Sequence, residues 1–293
     1  MPRPPLLVFG LTGQIGAALL RQGLPLPALA VSRSAPEAAD GQGAEPAGAD
    51  ADDDRPPAAV AWRRGDLAAF DSPHAHEAAL SLGPLDAFAA AVAEGRVRAS
   101  RIVAFGSTSV HAKADSPDPQ ERDLARRLAD AEAALREACA RRGAACTVLR
   151  PTLIWGLGRD ASVSRVVRMA RRWPVLPLPL DAPGLRQPVH VDDLATAARA
   201  ALALDGRFAA LDLPGGERVA FGTMLGRAVG AGAPRCRVLP LPWRLARWAG
   251  GRGLPRGLAA RLDADLCFDD APARALLGWS PRGFSPTAAD FPA

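Results

Sequence analysis

The chain has 293 residues, of which 48% are apolar and only 5% aromatic, and this composition suits an α/β protein of one large or two small domains. The formal charge of +5 comes with arginines spread over the whole sequence and with no helix-turn-helix, zinc finger or aromatic–basic platform, so we expect no nucleic-acid partner. No apolar run approaches the roughly 20 residues that cross a bilayer, and the first residues carry no evident secretory signal. We therefore expect a cytoplasmic protein without a membrane partner.

The four cysteines are scattered along the chain and have no C-x-x-C spacing. This pattern argues against a zinc site and against a disulfide framework, and it favours reduced thiols in a cytoplasmic protein. The residues are Cys139, Cys146, Cys236 and Cys267. We expect no metal site.

The beginning of the chain has the order strand, glycine-rich turn, helix. Four apolar residues at positions 6–9 predict a buried parallel strand, and apolar residues at helical spacing begin at Ile15. Gly10, Gly13 and Gly16 are spaced by three, which permits a tight turn and a close approach of the backbone to a ligand. The N–H groups and positive dipole end of the helix would face that ligand, so the turn predicts a bound pyrophosphate and hence a dinucleotide. The residues assigned to cofactor binding here are Gly10, Thr12, Gly13, Gln14, Ile15 and Gly16.

Further strands alternate with helices over the first half of the sequence. The predicted strands cover residues 28–31, 58–63, 78–82, 102–105 and 146–149. The predicted helices cover about residues 85–94 and 119–142. Because strands that alternate with helices run parallel through right-handed crossovers, we predict an α/β fold with a doubly wound parallel sheet, the Rossmann architecture. Ligands of such sheets bind at the carboxyl ends of the strands.

Two changes of composition divide the chain. Residues 35–57 contain mainly Ala, Gly, Pro, Asp and Glu with no apolar period, so we expect a mobile acidic loop. From residue 151 onward prolines multiply and short helices alternate with loops. We therefore predict a dinucleotide-binding domain of residues 1–150 and a smaller C-terminal substrate-binding lobe of residues 151–293, packed on the strand ends.

Hydroxyl and imidazole side chains follow the predicted strand 102–105. Ser107, Thr108 and Ser109 would lie at the carboxyl end of that strand, where they could donate hydrogen bonds to a reacting oxygen. His111 carries a side chain of the type that exchanges protons near neutral pH. Two alternatives stay open: the hydroxyls only cap the following turn, and the histidine is an ordinary surface residue.

The choice of cofactor depends on the residues after the second strand. An acidic side chain there would bind the adenosine 2′-hydroxyl, whereas an arginine favours a 2′-phosphate. This chain has Ser32, Arg33 and Ser34 at that point. We predict NADP(H), with NAD(H) possible, and the alternative is that Arg33 is an ordinary exposed arginine.

The second half of the chain offers one arginine and one histidine for substrate binding. The planar guanidinium of Arg186 suits a phosphate or carboxylate, so we expect a small-molecule substrate that can be anionic. The alternative for Arg186 is ion pairing at the surface or between lobes. His190 either faces the substrate or only orders its loop against the neighbouring aspartates.

Six segments occur in a recognisable order. They are Gly10-x-x-Gly13-x-x-Gly16, Gly65-Asp66-Leu67, Gly106-Ser107-Thr108-Ser109-Val110-His111, Leu149-Arg150-Pro151-Thr152-Leu153-Ile154-Trp155-Gly156, Arg186-Gln187-Pro188-Val189-His190-Val191-Asp192-Asp193-Leu194-Ala195 and Leu276-Leu277-Gly278-Trp279-x-Pro281-Arg282. Together they resemble the extended or atypical short-chain dehydrogenases/reductases, the NAD-dependent epimerase/dehydratase family. The resemblance runs nearly from end to end.

The resemblance implies roles for residues outside the glycine turn. On the cofactor side it implies Asp66, Leu67, Gly83 and Pro151, although Asp66 by itself is also consistent with a helix N-cap. For catalysis it implies Ser107 and Thr108, to which we add His111. For the substrate it implies Ser109, Thr152, Trp155, Arg186 and His190.

One departure from the family changes the chemistry. The family's proton donor is a tyrosine that lies four residues before a lysine, on the helix predicted at 119–142. This chain has no tyrosine, and its one lysine, Lys113, lies outside that position. If Glu132 aligns with the family's glutamate, Leu124 and Leu128 occupy the two positions, so the family's usual mechanism is impossible here.

Two functions of different classes follow. The first is an oxidoreductase or epimerase/dehydratase-like enzyme acting on a small carbonyl or nucleotide-sugar substrate, with a proton donor other than tyrosine. The second is a non-catalytic regulator or assembly factor that binds NAD(P). The sequence leaves open whether the chain is an enzyme, although it favours one, and whether it is a monomer or a homodimer.

Overall fold

The computed structural model describes residues 6–34, 60–243 and 263–292, so the predicted acidic loop 35–57 lies outside the described residues. The strands are β1 (Leu6–Phe9), β2 (Ala28–Ser32), β3 (Val60–Arg64), β4 (His76–Ser81), β5 (Ala99–Phe105), β6 (Ala145–Pro151), β7 (Ile154–Trp155), β8 (Val175–Leu178), β9 (Leu185–Arg186), β10 (Val189–His190), β11 (Ala209–Leu213), β12 (Val219–Ala220) and β13 (Arg237–Pro240). The helices are α1 (Gln14–Gln22), α2 (Leu85–Ala93), α3 (Ser109–Ala112), α4 (Pro119–Arg142), α5 (Val163–Arg172), α6 (Val191–Ala201), α7 (Phe221–Gly232) and α8 (Ala271–Leu277), with a 3₁₀ turn at Ala288–Asp290. Within the described ranges no helix has the length and apolar character needed to cross a membrane.

The main sheet has seven strands in the order β11-β6-β5-β4-β1-β2-β3. The pairings from β3 through β2, β1, β4 and β5 to β6 are all parallel. The chain moves outward from β1 to β3 and then returns to place β4 on the other side of β1, which is the strand order of a doubly wound sheet. The predicted fold class is confirmed, and the reversal between β1 and β4 is the point where such sheets bind ligands.

The predicted strands differ from the observed ones mainly at their beginnings. β4 begins at His76. The imidazole of His76 can be buried there because it forms a hydrogen bond with the Ser72 hydroxyl, 3.0 Å away. β5 begins at Ala99, because Arg101 sends its guanidinium to the main-chain oxygen of Leu204, 3.1 Å away. β11 was not predicted, since its short apolar run is interrupted by an aspartate and lies within the proline-rich half of the chain.

Contacts divide the chain into two compact units. The first unit contains Met1–Ser107, Arg127–Arg150 and Leu194–Leu211. Its core includes Phe88 and Leu135, both fully buried, and the rings of Phe9 and Phe70 meet edge to face with centroids 5.1 Å apart.

The second unit contains Thr108–Arg126, Pro151–Asp193 and Asp212–Ala293. In its core the helices α5 and α7 pack together around Val167 and Leu225. Phe284 is fully buried there and meets the indole of Trp155 edge to face, with centroids 4.9 Å apart. The predicted division into a dinucleotide-binding domain of residues 1–150 and a substrate-binding lobe of residues 151–293 stays a prediction.

A buried ion pair connects α4 to β6 in the first unit. The guanidinium of Arg150 donates from Nε to Oε1 of Glu132 at 2.8 Å and from Nη2 to Oε2 of the same carboxylate. Only 14% of the Arg150 side chain and 5% of the Glu132 side chain are exposed. Arg150 belongs to one of the six segments, so the pair ties the end of that segment's strand to the helix α4.

Two thiols also connect α4 to β6. Cys139 and Cys146 are buried in the same core and share a hydrogen bond. That hydrogen bond lowers the pKa of Cys139, and it raises the pKa of Cys146 together with burial. All four cysteines are free thiols in the structure.

We predict opposite effects for the same substitution at two glycines of α7. A Cβ on Gly222 would lie 2.0 Å from the main-chain oxygen of Leu180, whereas a Cβ on Gly230 would meet nothing within 4 Å. Gly222→Ala should therefore lower the free energy of unfolding by about 3 kcal/mol, because main-chain atoms must move. Gly230→Ala should raise it by about 0.5–1 kcal/mol through helix propensity. Urea denaturation measures both, and similar values for the two variants would contradict the packing described for α7.

We predict that breaking the Glu132–Arg150 pair costs more than removing it. Arg150→Met leaves the Glu132 carboxylate buried without its counter-ion and should cost about 3–5 kcal/mol of unfolding free energy. The double variant Glu132→Leu, Arg150→Met should recover most of that loss, because no uncompensated charge remains. As a control, Arg141→Ala removes the exposed pair with Glu137 and should change stability by less than about 1 kcal/mol. Additive effects of the two single variants in urea denaturation would show that the pair does not act as a unit.

Candidate functional site

The turn between β1 and α1 requires glycine for two different reasons. Gly10 has a φ of +81°, a left-handed conformation, and a Cβ there would lie 3.1 Å from the carbonyl carbon of Leu82. At Gly16 a Cβ would lie 2.1 Å from the main-chain oxygen of Leu11, so the helix could not approach the turn. Gly13 donates its N–H to the oxygen of Gly10 at 2.9 Å and closes the turn.

The amino end of α1 has no side-chain cap. Its N-cap is Gly13, its first turn contains no acidic residue, and its first helical hydrogen bond runs from the N–H of Ala17 to Gly13. The preceding amides therefore point out of the helix end with its partial positive charge. Beside them, Oε1 of Gln14 is buried and accepts no hydrogen bond from any described residue. The amides at the start of α1 can bind an anion, and the Gln14 oxygen can accept a hydrogen bond from a polar group of the same ligand.

At the end of β2, one residue forms hydrogen bonds within the protein and the next two are exposed to solvent. The Ser32 hydroxyl is buried, lies 3.2 Å from the hydroxyl of Thr12 and accepts the N–H of Ser34 at 3.3 Å. It therefore connects the glycine turn to β2. Arg33 and Ser34 are exposed at the carboxyl end of the strand.

Two other segments predicted to contact a cofactor follow β3 and β4. Asp66 is exposed, and its Oδ1 accepts the N–H of Ala68 at 3.0 Å in a local turn. The carbonyl of Leu67, the next residue, accepts from Arg96 at 3.2 Å. The amide nitrogen of Gly83 would be 3.2 Å from a Cβ on Gly10, so the turn after β4 lies directly against the glycine turn.

In the serine–threonine segment after β5, the hydroxyl of Thr108 forms a hydrogen bond within the protein. Thr108 is buried, and both its N–H and its hydroxyl donate to the carbonyl of Pro151 at 3.2 Å. Thr108 thus fixes the end of β6; its hydroxyl does not cap the turn that follows, and its catalytic role stays a prediction. Ser107 and Ser109 are half-buried.

His111 lies beside an acidic residue that the sequence did not single out. Its side chain is 47% exposed, and its Nε2 lies 3.5 Å from Oδ2 of Asp212 at the end of β11. The ring of Phe268 faces the imidazole, with centroids 6.3 Å apart. A lone aspartate inside the short apolar run of β11 was the available signal for Asp212, but nothing local indicates its neighbour.

His190 and Trp155 are enclosed in the second unit. His190 has both ring nitrogens engaged: Nε2 lies 3.2 Å from Oδ1 of Asp290, and Nδ1 accepts the N–H of Asp192 at 3.2 Å. The indole of Trp155 meets the imidazole edge to face at 4.5 Å, and only 2% of Trp155 is exposed. The contacts of His190 are those of the loop-ordering alternative.

Arg186 and Thr152 bind main-chain oxygens. Nη1 of Arg186 donates to Leu185 at 2.7 Å and to Ala264 at 2.8 Å, and 5% of the residue is exposed. Its guanidinium also lies over the ring of Phe221, 5.4 Å from the centroid. Thr152 donates its hydroxyl to the carbonyl of Gln187.

A cavity of about 470 Å³ lies close to His111 in the second unit. Its lining residues are Gln187, Gly215, Gly216, Arg218, Cys267, Phe268, Asp269, Asp270 and Arg274. Oε1 of Gln187 accepts the N–H of Phe268 at 2.8 Å. The ring of Phe268, which lines the cavity, also faces the imidazole of His111. Burial raises the pKa of the Cys267 thiol, while the charge of Arg218 lowers it.

No family model matches the chain, and no curated protein matches it. Among solved structures, MoeE5 in complex with UDP-glucuronic acid and NAD is 18% identical, with 97% of each chain covered and a TM-score of 0.67. UDP-N-acetylglucosamine 4-epimerase from Bacillus cereus is 13% identical, with 98% of this chain and 94% of that chain covered and a TM-score of 0.62. RMD from Pseudomonas aeruginosa complexed with NADPH is 13% identical, with 99% and 98% covered and a TM-score of 0.64.

At these identities the similarity is one of fold, and it covers both units. The neighbours include epimerases and proteins crystallised with a nicotinamide dinucleotide, which are the kinds of protein that the six sequence segments resemble. The resemblance is thereby confirmed at the level of architecture: this chain has the fold of the extended short-chain dehydrogenases/reductases.

Proposed function

We propose that the chain binds a nicotinamide dinucleotide at the turn between β1 and α1. The observation that carries this proposal is the uncapped amino end of α1 behind three glycines, at the sheet position where the strand order reverses. The buried Oε1 of Gln14 offers an acceptor beside the amides. MoeE5 in two structures with NAD, and RMD in one with NADPH, are neighbours of this fold, which supports the same ligand class here.

The residues present fit a diphosphate group. Gly10 and Gly13 keep side chains out of the turn, and the amides at the start of α1 would donate to the phosphate oxygens. When bound, the nicotinamide ring gives or accepts a hydride. The task of the chain is to hold the dinucleotide and to supply a proton donor for the substrate oxygen.

We further propose that the chain is an oxidoreductase or epimerase/dehydratase-like enzyme acting on a small carbonyl or a nucleotide sugar, with residues 151–293 as its substrate-binding lobe. MoeE5 was crystallised with UDP-glucose and with UDP-glucuronic acid, and another neighbour is a UDP-N-acetylglucosamine 4-epimerase. These neighbours support the substrate class. A cytoplasmic location, expected from the sequence, belongs to the same proposal.

We propose NADP(H) as the preferred form of the cofactor, with NAD(H) as the alternative. Arg33 is exposed at the carboxyl end of β2, and its guanidinium would pair with a 2′-phosphate. The adjacent Ser32 hydroxyl is held by the glycine turn and Ser34, so Arg33 is the residue of this segment that carries the choice.

We predict that NADPH stabilises the protein and that Arg33 sets the preference over NADH. In fluorescence titrations, Arg33→Ser should weaken NADPH binding about tenfold, because a charge-assisted hydrogen bond is lost, and leave NADH binding nearly unchanged. Gly13→Val should weaken both by at least about tenfold, since a Cβ at Gly13 already lies 3.2 Å from the Gly10 oxygen.

The matched control is Gly206→Val. A Cβ at Gly206 meets nothing within 4 Å, and this glycine belongs to the same unit. This variant should bind both dinucleotides like the unmodified protein. If neither dinucleotide raises the melting temperature of the unmodified protein, the cofactor proposal is wrong.

His111 is the proposed proton donor, because the chain lacks the family's tyrosine. The Thr108 hydroxyl donates to Pro151, so we assign the hydrogen bond to the substrate oxygen to Ser107 and the supply of the proton to His111. Asp212 Oδ2 lies 3.5 Å from Nε2 of His111. Positioned proton donors contribute about 10²–10⁴-fold to rate.

A specific observation favours the second function, a non-catalytic dinucleotide-binding regulator or assembly factor. If Glu132 aligns with the family's glutamate, Leu124 and Leu128 occupy the family's tyrosine and lysine positions on α4, where both leucines are half-buried. Neither can donate a proton. A protein that keeps the glycine turn but lacks these two groups would bind the dinucleotide without catalysing a reaction.

Turnover separates the two functions. We predict that NADPH is oxidised in the presence of a small carbonyl, or that UDP-sugars are interconverted, and that His111→Ala lowers kcat about 10²-fold or more. His74→Ala, a half-buried histidine of the first unit, is the control and should leave kcat unchanged. Dinucleotide binding without turnover on any substrate would establish the regulator instead. Equal kcat in the two histidine variants would exclude His111 as the proton donor.

A further inference from the structure

The strands β8 and β13 form a two-stranded ribbon with one buried and one exposed face. They pair in parallel, with Val175 opposite Arg237 and Pro177 opposite Leu239. Residues alternate along β8, so that Leu176 and Leu178 are buried in the core of the second unit while Val175 and Pro177 are exposed. Directly paired residues of a sheet project to the same side, so all four residues of these two pairs share the outer face.

This outer face is apolar. Its large apolar residues, with the exposed fraction of each, are Trp173 at 62%, Leu239 at 54%, Val175 at 45% and Leu241 at 36%. Trp173 continues the alternation of β8 backward, and Leu241 continues that of β13 forward, with its N–H bound to Leu178 at 2.9 Å. A continuous exposed patch of this kind marks an interaction site.

The two segments that carry the patch are rich in arginine. The segments 163–180 and 233–243 contain no aspartate or glutamate. Their arginines are Arg165, Arg168, Arg171, Arg172, Arg235 and Arg237, all exposed. The nearest acidic residues along the chain, Asp160 and Asp181, lie just outside these segments and accept main-chain N–H groups, from Ser162 at 3.0 Å and Trp243 at 2.7 Å. The two segments therefore carry a net positive charge beside the apolar face, and Arg168 and Arg171 also donate to the main-chain oxygens of Gly158 and Gly232.

The backbone of the ribbon is unusually rich in proline. Prolines occur at positions 174, 177, 179, 240 and 242, in or next to β8 and β13. Proline has no N–H, so at these positions no main-chain donor would lose its hydrogen bond to water when the face is buried against a partner. The same property prevents another strand from pairing along them, which disfavours association through the ribbon edges with a second copy of the chain.

We propose that this face docks on an anionic lipid surface. Trp173, Leu239 and Leu241 would enter the boundary between headgroups and acyl chains, while the arginines contact the lipid phosphates. The arginine charges match the negative potential of such a membrane, and the apolar residues have no counterpart on a purely polar polyanion. The interaction is peripheral, and it adds a membrane partner that the sequence did not predict.

Vesicle co-sedimentation of the full chain tests the proposal. The protein should sediment with vesicles of phosphatidylcholine mixed with phosphatidylglycerol, much less with phosphatidylcholine alone, and less at high salt. Leu239→Ser should reduce binding about tenfold by loss of apolar burial, and Arg237→Gln about fivefold by loss of one charge. Trp173 fluorescence should shift to the blue on binding, and Trp173→Phe should remove that shift while binding persists.

The matched controls are Leu276→Ser in α8 and Arg141→Gln in α4, an exposed leucine and an exposed arginine outside the segments 163–180 and 233–243. Both should bind vesicles like the unmodified protein. Absence of binding to anionic vesicles, or equal losses in face and control variants, would overturn the proposal. Concentration-dependent dimerisation in sedimentation velocity that Leu239→Ser abolishes, without vesicle binding, would assign the face to a second copy instead. Melting temperatures identify any variant that fails to fold, and Arg237→Gln, a change of an exposed polar side chain, then decides the matter.

Discussion

The contact between Gly10 and the Leu82–Gly83 peptide is the constraint on which the proposed dinucleotide site depends. β1 and β4 are neighbours, yet the chain leaves them for opposite parts of the sheet, so their following turns meet at one place. A side chain on Gly10 would separate these turns, since its Cβ would lie within 3.3 Å of three atoms of residues 82 and 83. The bare amino end of α1 reaches this place only because Gly16 also lacks a side chain.

Polar side chains around the strand ends are largely used to hold the main chain. Ser32 joins β2 to the glycine turn, Thr108 joins the segment after β5 to β6, and Asp66 closes its own turn. These bonds fix the positions of backbone groups, which are the groups that a diphosphate would contact. Arg33 and His111 differ from them because a large part of each side chain is exposed, which is why the chemical proposals rest on these two residues.

The parts of the molecule that the sequence predicted correctly are those with a local signal. The glycine spacing, the apolar strands of the first half and the helix Pro119–Arg142 each have a pattern within a short window, and the fold class followed from their alternation. The proximity of Asp212 to His111 and the enclosure of Trp155 and His190 depend on residues far apart in the sequence. No periodicity records such contacts, so β11 and the surroundings of the predicted substrate residues became visible only in three dimensions.

Each compact unit is assembled from three separate stretches of chain, and β11 returns to the main sheet only after the stretch 151–193 of the second unit has been made. A fragment that stopped at residue 150 would lack this last strand. The hydrogen-bonding groups along the open side of β6 would then meet water or another molecule, and sheet edges of this kind recruit neighbouring chains. Ribosomal synthesis passes through the same stage, so the nascent chain has an unpaired edge at β6 until the residues of β11 have been made.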